Sequence, residues 1–228
     1  KLFGRQGGRP KRDLIVAFVA EEETGCDRGS KFLVDHHADR VRAELMLGEV
    51  GGFSYNLLGR RLYPIMVAEK GLCGLKLTAR GTPGHGATPR EDAALVRLAR
   101  AIEKLGTTQL PIHRTRAADA FLEHVCDALP APQRLLFPLI ASSAVGRQLL
   151  ARLPDRNLAR NLWAMLSSTA TPTIFRAGEK VNVIPGIATA EVDGRVLPGQ
   201  KLEEYLAEVR AIIGADVELD VVKWAPAV

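Results

Sequence analysis

From Leu72 onward the chain reads as an ordered series of strands and helices, and that order restricts its fold more than any other feature. Cys73, Leu75, Leu77 and Ala79 alternate with Lys76, Thr78 and Arg80. A period of two marks a strand with one buried face. A helix is expected over Glu91 to Leu105, with its apolar stripe at Leu95, Leu98, Ile102 and Leu105. Alternation returns at Thr171 to Arg176, and again at Ala188 to Val196, where Ala190, Val192 and Val196 oppose Glu191, Asp193 and Arg195. A second helix is expected over Leu202 to Ile213, striped by Leu202, Tyr205, Leu206, Val209, Ile212 and Ile213, and then a last strand with Val217, Leu219 and Val221. The series β, α, β, β, α, β is a split βαβ arrangement, a four-stranded antiparallel sheet with both helices on one face. The other face is left for a partner or a preceding domain. Thr107 to Ser168 interrupts the series with apolar helical pieces around Phe121 to Leu129, Arg134 to Ile140 and Leu158 to Leu166, punctuated by Pro130, Pro132 and Pro154. It reads as a helical insertion within one domain.

The texture before Glu69 is different. Leu14 to Val19 is a run of six apolar residues, followed by Ala20, Glu21, Glu22, Glu23, Thr24 and Gly25. Such a run predicts a strand buried on both faces of a parallel sheet, and ligands of α/β sheets sit beyond the carboxyl ends of such strands. Ala43 to Leu47 is a second strand candidate, ending in Gly48, Glu49, Val50, Gly51 and Gly52, and Arg61 to Ala68 is a third, placed at an edge by Pro64. Glu23 and Glu49 are thereby expected to meet at the rim of one sheet, with Glu22 beside them. The plainer reading of the triplet, a solvated acidic turn, stays open. Ser30 to His37 has helical character, with Phe32 and Leu33 facing the sheet; adjacent His36 and His37 diverge around a helix and read as an exposed helix end.

Composition removes other classes. With 46% apolar residues a core can be buried. Net charge is +5, but the one dense basic patch, Arg5, Arg9, Lys11 and Arg12, has no aromatic interleaving, so neither nucleic acid nor membrane is expected as a partner. Cys26, Cys73 and Cys126 are too few and too scattered for a disulfide framework, which points to a reducing, cytoplasmic setting. Cys26 and Cys73 read as small packing residues. The start at Lys1, just before an apolar strand, reads as a segment of a longer protein.

Four motifs stand in sequence: A-E-E-E-T-G from Ala20, G-E-V-G-G from Gly48, G-T-P-G-H-G from Gly81, and N-V-I-P-G with D-G-R-V-L-P-G between Asn182 and Gly199. Together they resemble the co-catalytic zinc peptidases of metallopeptidase family twenty, which include aminoacylases, glutamate carboxypeptidase and carnosine dipeptidase. The resemblance implies an α/β catalytic domain interrupted by a lid that makes a homodimer, with residues 1–68 part of the first and 69–228 the second. It implies two zinc ions, replaceable by cobalt or manganese. Glu22 would be the general base and Glu23 and Glu49 metal ligands, while Glu21 stands where the family has Asp and is no ligand. His85 would reach the partner subunit's site to steady the oxyanion, and Asn182 and Arg195 would bind substrate, a dipeptide or N-acyl amino acid with a free carboxylate. An Arg fork suits a carboxylate, although a local pair with Glu191 or Asp193 is the plain alternative. The family's upstream H-x-D motif and bridging Asp and its late His do not occur in these 228 residues, so the polypeptide as given is expected to be an inactive fragment of an enzyme. The competing reading is a non-catalytic dimerisation module with a vestigial metal site.

Overall fold

The computed structural model describes residues 5, 7–8, 11–22, 26–46, 48, 52–57, 59–131, 133–142 and 145–228. The chain forms two compact units, Lys1–Gly51 and Gly52–Val228.

In the first unit, helix α1 (Ser30–Val41) is interrupted at His37, whose φ of −139° is not helical. Gly29 must be glycine, because a Cβ there would lie 1.9 Å from the Ala20 carbonyl oxygen. The expected strand at Leu14 to Val19 does not form. These residues lie outside any ladder, and Leu14, Val16 and Phe18 are 75%, 70% and 94% exposed. A strand buried on both faces needs hydrogen-bonding neighbours and covering layers, and no strand occurs among the described residues of this unit. The same reason removes the strand expected at Ala43 to Leu47: residues 43–46 are irregular, Leu45 and Met46 are exposed, and Leu47 lies outside the described residues. With no sheet beneath it, Phe32 is 43% exposed and stacks on the His36 ring of its own helix at 4.6 Å.

The second unit opens with a short hairpin, β1 (Tyr55–Leu57) and β2 (Arg60–Leu62). The strand expected over Arg61 to Ala68 therefore stops at Leu62, and Tyr63, Ile65, Met66 and Val67 are exposed beyond it. Then follow β3 (Gly71–Arg80), β4 (Gly84–His85) and α2 (Ala94–Thr107). The helical stretch holds α3 (Arg116–Ala128), α4 (Gln133–Leu136), a 3₁₀ turn (Phe137–Ala141), α5 (Gly146–Arg152) and α6 (Arg156–Leu166). The series closes with β5 (Thr169–Ala177), β6 (Val183–Ile184), β7 (Ile187–Val196), α7 (Leu202–Ile213) and β8 (Glu218–Ala225).

The main sheet has the order β5-β7-β3-β8, antiparallel throughout. Cys73, Leu75, Leu77 and Ala79 are fully buried with Ala190, Val192 and Val196, against Leu98 and Leu105 of α2 and Tyr205 and Val209 of α7. Both helices thus cover one face of a four-stranded antiparallel sheet, as the alternation predicts. The stripe of α2 holds at Leu98 and Leu105 and widens by one position beside them: Ala94 and Ala101 are buried, Ile102 packs partly buried against the core, and Leu95 is 39% exposed. One residue turns a helix by about 100°, and small Ala94 and Ala101 let α2 approach the sheet closely. Burial pushes the Cys73 thiol up to about 11, so it is a packing residue. Cys26 is not: it is only half-buried, at a φ of 65°.

Residues 108–168 build a second core, in which Leu122, Val125, Phe137, Ile140, Leu150, Leu162, Trp163 and Leu166 gather around Leu57. The caps are local chemistry: Thr115 Oγ1 accepts from Ala118 N–H, and Asp155 Oδ1 accepts from Asn157 and Leu158 N–H. Helix α5 escapes sequence reasoning because seven residues are too few to show a period. A polar relay ties this core to α7. His113 Nε2 lies 2.6 Å from Glu208 Oε1, which also accepts from Gln200 Nε2 at 3.1 Å.

Candidate functional site

The loop that leaves β3 is held at both ends. Gly81 N–H donates to the Gly186 carbonyl at 3.0 Å. A Cβ on Gly81 would lie 2.2 Å from the Asp92 carbonyl oxygen, so this close crossing requires glycine. Thr82 donates to Asp92 Oδ2 from its hydroxyl at 2.6 Å and its backbone at 3.2 Å. These bonds hold the Asp92 carboxyl below the usual carboxylate range. Gly84 and His85 then pair with Ile184 and Val183, and Gly86 N–H donates to the Asn182 carbonyl at 2.8 Å.

His85 is exposed at the tip. Its Nδ1 accepts from the Ala87 N–H at 3.1 Å. A nitrogen that accepts carries no proton, so the neutral ring keeps its hydrogen on Nε2. The result is a fixed, outward N–H donor, the kind of group that can meet an oxygen developing negative charge. Asn182 is exposed beside it, in the strand-pairing segment. The structure therefore brings two of the expected site residues, His85 and Asn182, to one place.

Arg195 is elsewhere. Residues 187 to 195 of β7 separate it from the Ile187 end, roughly 26 Å at about 3.3 Å per residue. It sits on the face opposite α2 and α7, between Leu72 of β3 and Thr169 of β5. Arg195 Nε donates to Asp193 Oδ1 at 3.1 Å, so the plain local pair exists; both partners are well exposed, and such a pair holds a side chain only weakly.

Sequence reasoning missed Lys70. Its Nζ donates to the Ser167 carbonyl at 2.6 Å, and the side chain is half-buried. Ser167 caps the C-terminal end of α6, where carbonyl dipoles favour a cation. Burial first, and the Arg195 charge second, lower Lys70 from its ordinary 10.5 to about 8. Below that value folded and unfolded chains both carry the proton, and the folded one bears the full cost of a buried charge. Across the window from about 8 to 10.5 the folded chain holds fewer protons, so stability rises with pH. Denaturant midpoints taken at about pH 7 and about pH 10 are expected to climb more for wild type than for Lys70→Met; equal changes would remove Lys70 as the source.

In the first unit, Glu21 and Cys26 both take positive φ, at 59° and 65°. Such non-glycine backbone costs on the order of 1 kcal/mol each and gathers at functional turns. Glu21 Oε2 accepts from Arg28 N–H at 3.0 Å, which turns that carboxylate into its own loop. Glu22 is exposed. Glu23 and Glu49 lie outside the described residues, and with them the expected meeting of the two carboxylates. Among the described residues no three His, Cys, Asp or Glu side chains form a group that could hold a metal ion. The described donor set thus does not fit a zinc centre, which needs three or four ligands including nitrogen or sulfur.

The second unit is thus a split βαβ sheet with two helices on one face and a glycine-held loop that presents a histidine. Residues 67–220 match the model of the peptidase dimerisation domain of the M20 peptidases, and the chain belongs to that family. It is 29% identical over 211 residues to human N-fatty-acyl-amino acid synthase/hydrolase PM20D1, covering 90% of this chain and 40% of the relative. It is 28% identical over 226 residues to the probable carboxypeptidase S-like 2 of Dictyostelium discoideum, covering 92% and 41%. Superposition on the solved di-peptidase Dug1p of Saccharomyces cerevisiae covers 70% of this chain and 37% of that one, with 11% identity and a TM-score of 0.46. The chain spans about 40% of the length of the curated relatives it matches.

Proposed function

We propose that this chain is part of a metal-dependent enzyme that hydrolyses the amide bond of N-acyl amino acids or dipeptides with a free carboxylate. Residues 1–68 contribute to the catalytic domain, and residues 69–228 form the lid. The observation that carries this reading is His85, whose Nε2–H is held outward by the Ala87 bond in a member of the peptidase dimerisation family. The name of the human relative supplies the N-acyl amino acid class.

The chain's own residues divide the work. Glu22 accepts a proton from the attacking water and delivers it to the leaving amine. His85 Nε2–H donates to the carbonyl oxygen as negative charge develops on it. Arg195 offers its fork to the substrate carboxylate, leaving Asp193, and Asn182 supports the same bound substrate from beside His85. A metal, zinc or in its place cobalt or manganese, would supply Lewis acidity and a more acidic water. Its proposed ligands in this chain are Glu23 and Glu49.

A small substrate cannot touch both the His85 tip and Arg195 of one protomer across that length of β7. A two-fold homodimer removes the difficulty, because it can bring His85 of one protomer to the Glu22 and Arg195 of the other. The 228-residue polypeptide alone is proposed to be inactive, since two carboxylates without an imidazole hold zinc poorly. The setting is proposed to be cytoplasmic, with Cys26, Cys73 and Cys126 as free thiols.

The test is an assay of the full-length protein, loaded with zinc, cobalt or manganese, on N-acyl amino acids and dipeptides, with a chelator as control. Metal-dependent release of the free amino acid is expected. Failure with every metal and substrate, in a folded dimer, sinks the enzyme reading in favour of a binding module.

A further inference from the structure

Lys70 and Arg195 share one end of one face. Leu72 pairs with Arg195 across the β3–β7 ladder, and Lys70, two residues before Leu72, falls on the same side of the strand. Thr169 flanks Arg195 on the other side. Lys70 reaches from the β3 side to Ser167, just ahead of β5, so its ammonium is drawn across towards the strand end that carries Arg195.

Among the described residues Lys70 is paired with no carboxylate. The groups facing Lys70 are Arg195 from β7 and the Ser167 carbonyl from the end of α6; Glu69 of its own segment has an exposed side chain, and its backbone pairs with that of Val228 beyond β8. Asp193 is already bonded to Arg195, and the lysine bond goes to a neutral carbonyl. Among the described residues the Ser167 bond is the one hydrogen bond of the ammonium, and the group is half-buried. A half-desolvated cation beside a second cation is costly unless an anion joins them. A carboxylate fits, with one oxygen for each cation.

We propose that Lys70 and Arg195 form one two-cation subsite for the substrate carboxylate, in which Lys70 is a specificity-determining residue separating acids from amides. The assignment rests on the amide-hydrolase reading and adds to it a second, titratable contact. Because Lys70 titrates near 8, binding of an acid weakens as that proton leaves.

The test uses the full-length, metal-loaded enzyme with N-lauroyl-phenylalanine and its carboxamide, from about pH 6.5 to about pH 9.5. For wild type, KM for the acid is expected to rise through about pH 8, and KM for the amide to stay level. Lys70→Met is expected to raise KM for the acid about tenfold at neutral pH, with kcat within about twofold and the amide unaffected. Lys70→Arg is expected to keep the low KM and lose the alkaline rise. Equal effects of Lys70→Met on acid and amide, or none on either, overturn the Lys70 assignment; in that case an Arg195→Met defect confined to the acid leaves the hydrolase reading standing. A wild-type enzyme that cleaves both compounds with equal KM overturns the subsite and leaves the hydrolase reading standing; one that cleaves neither these nor any other N-acyl amino acid or dipeptide overturns both. Should Lys70→Met fail to fold, Lys70→Arg decides, and persistence of its alkaline rise refutes the proposal.

Discussion

Co-expressed at equal levels, full-length protomers carrying His85→Ala and full-length protomers carrying Glu22→Gln are expected to recover about a quarter of wild-type turnover, with each variant alone expected to be nearly inactive. Loss of an oxyanion donor costs on the order of 10² to 10³ in kcat, and loss of a general base about 10² to 10⁴. Half of the dimers in such a mixture are mixed. In each mixed dimer one site joins an intact Glu22 to an intact His85 from across the interface, and the other site has neither. The expectation follows from where the fold puts the imidazole. His85 stands at the β4–β6 tip, while Arg195 stands at the far end of β7, so one protomer does not present both to one small molecule. The readout is turnover of the co-expressed mixture against both parents, with about half of wild-type turnover expected for the purified mixed dimer. Absence of any recovery, with mixed dimers verified, means that His85 serves its own protomer or none.

Gly194→Ala is expected to destabilise the sheet domain by about 3 kcal/mol. Gly194 faces the core from β7 and pairs with Cys73. A Cβ there would lie 2.3 Å from Tyr205 Oη and 2.4 Å from the Cys73 carbonyl oxygen. The tyrosine cannot simply withdraw, because its ring is fully buried and its hydroxyl donates to the Thr169 carbonyl at 2.9 Å. The Cys73 carbonyl cannot withdraw either, since it belongs to the central strand. Gly106→Ala is the matched control. It lies in α2 with nothing within 4 Å of its added Cβ, so the helix propensity of alanine should raise stability by about 0.5 kcal/mol. Denaturant midpoints of the two variants are expected to move in opposite directions. An unchanged midpoint for Gly194→Ala would mean that the phenol does not cross β7 there.

The four-stranded sheet with its two helices was legible because its signals are local. Alternation at Cys73 to Ala79 and at Ala190 to Val196 names the buried face without knowledge of the partner strand. The α7 stripe gives a helix from Leu202 to Ile213, and Gly214, at a φ of 80°, ends it. The histidine loop was legible for a similar reason, since glycines on either side of His85 permit a tight, exposed turn. Local patterns misled where burial depends on something distant. Leu14 to Val19 has the composition of a central strand, but a composition cannot provide the neighbouring strands that would cover it. In α2 the expected Leu98 and Leu105 are buried, but the inner edge of the stripe falls on Ala94 and Ala101 rather than on Leu95, because alanine allows the closer fit to the sheet. The last strand hides a bulge: Gly74 pairs with Lys223 and Leu75 with Val221, which leaves Val222 as the extra residue, 60% exposed.

Lys70 marks the limit most clearly. A lysine before a strand reads as a solvated charge, and nothing near it in the chain announces a carbonyl supplied 97 residues later. By itself the sequence determined which side chains face inward along β3, β7 and α7, and which residue types could move a proton, meet an oxyanion or hold a carboxylate. These are properties of short stretches, because side-chain direction repeats every two or every 3.6 residues. The tertiary structure alone decided which of those residues share an end of the sheet: His85 with Asn182 at one, Arg195 with Lys70 at the other. Ladder register and the seat of α6 set that grouping, and both come from contacts between segments far apart in the chain.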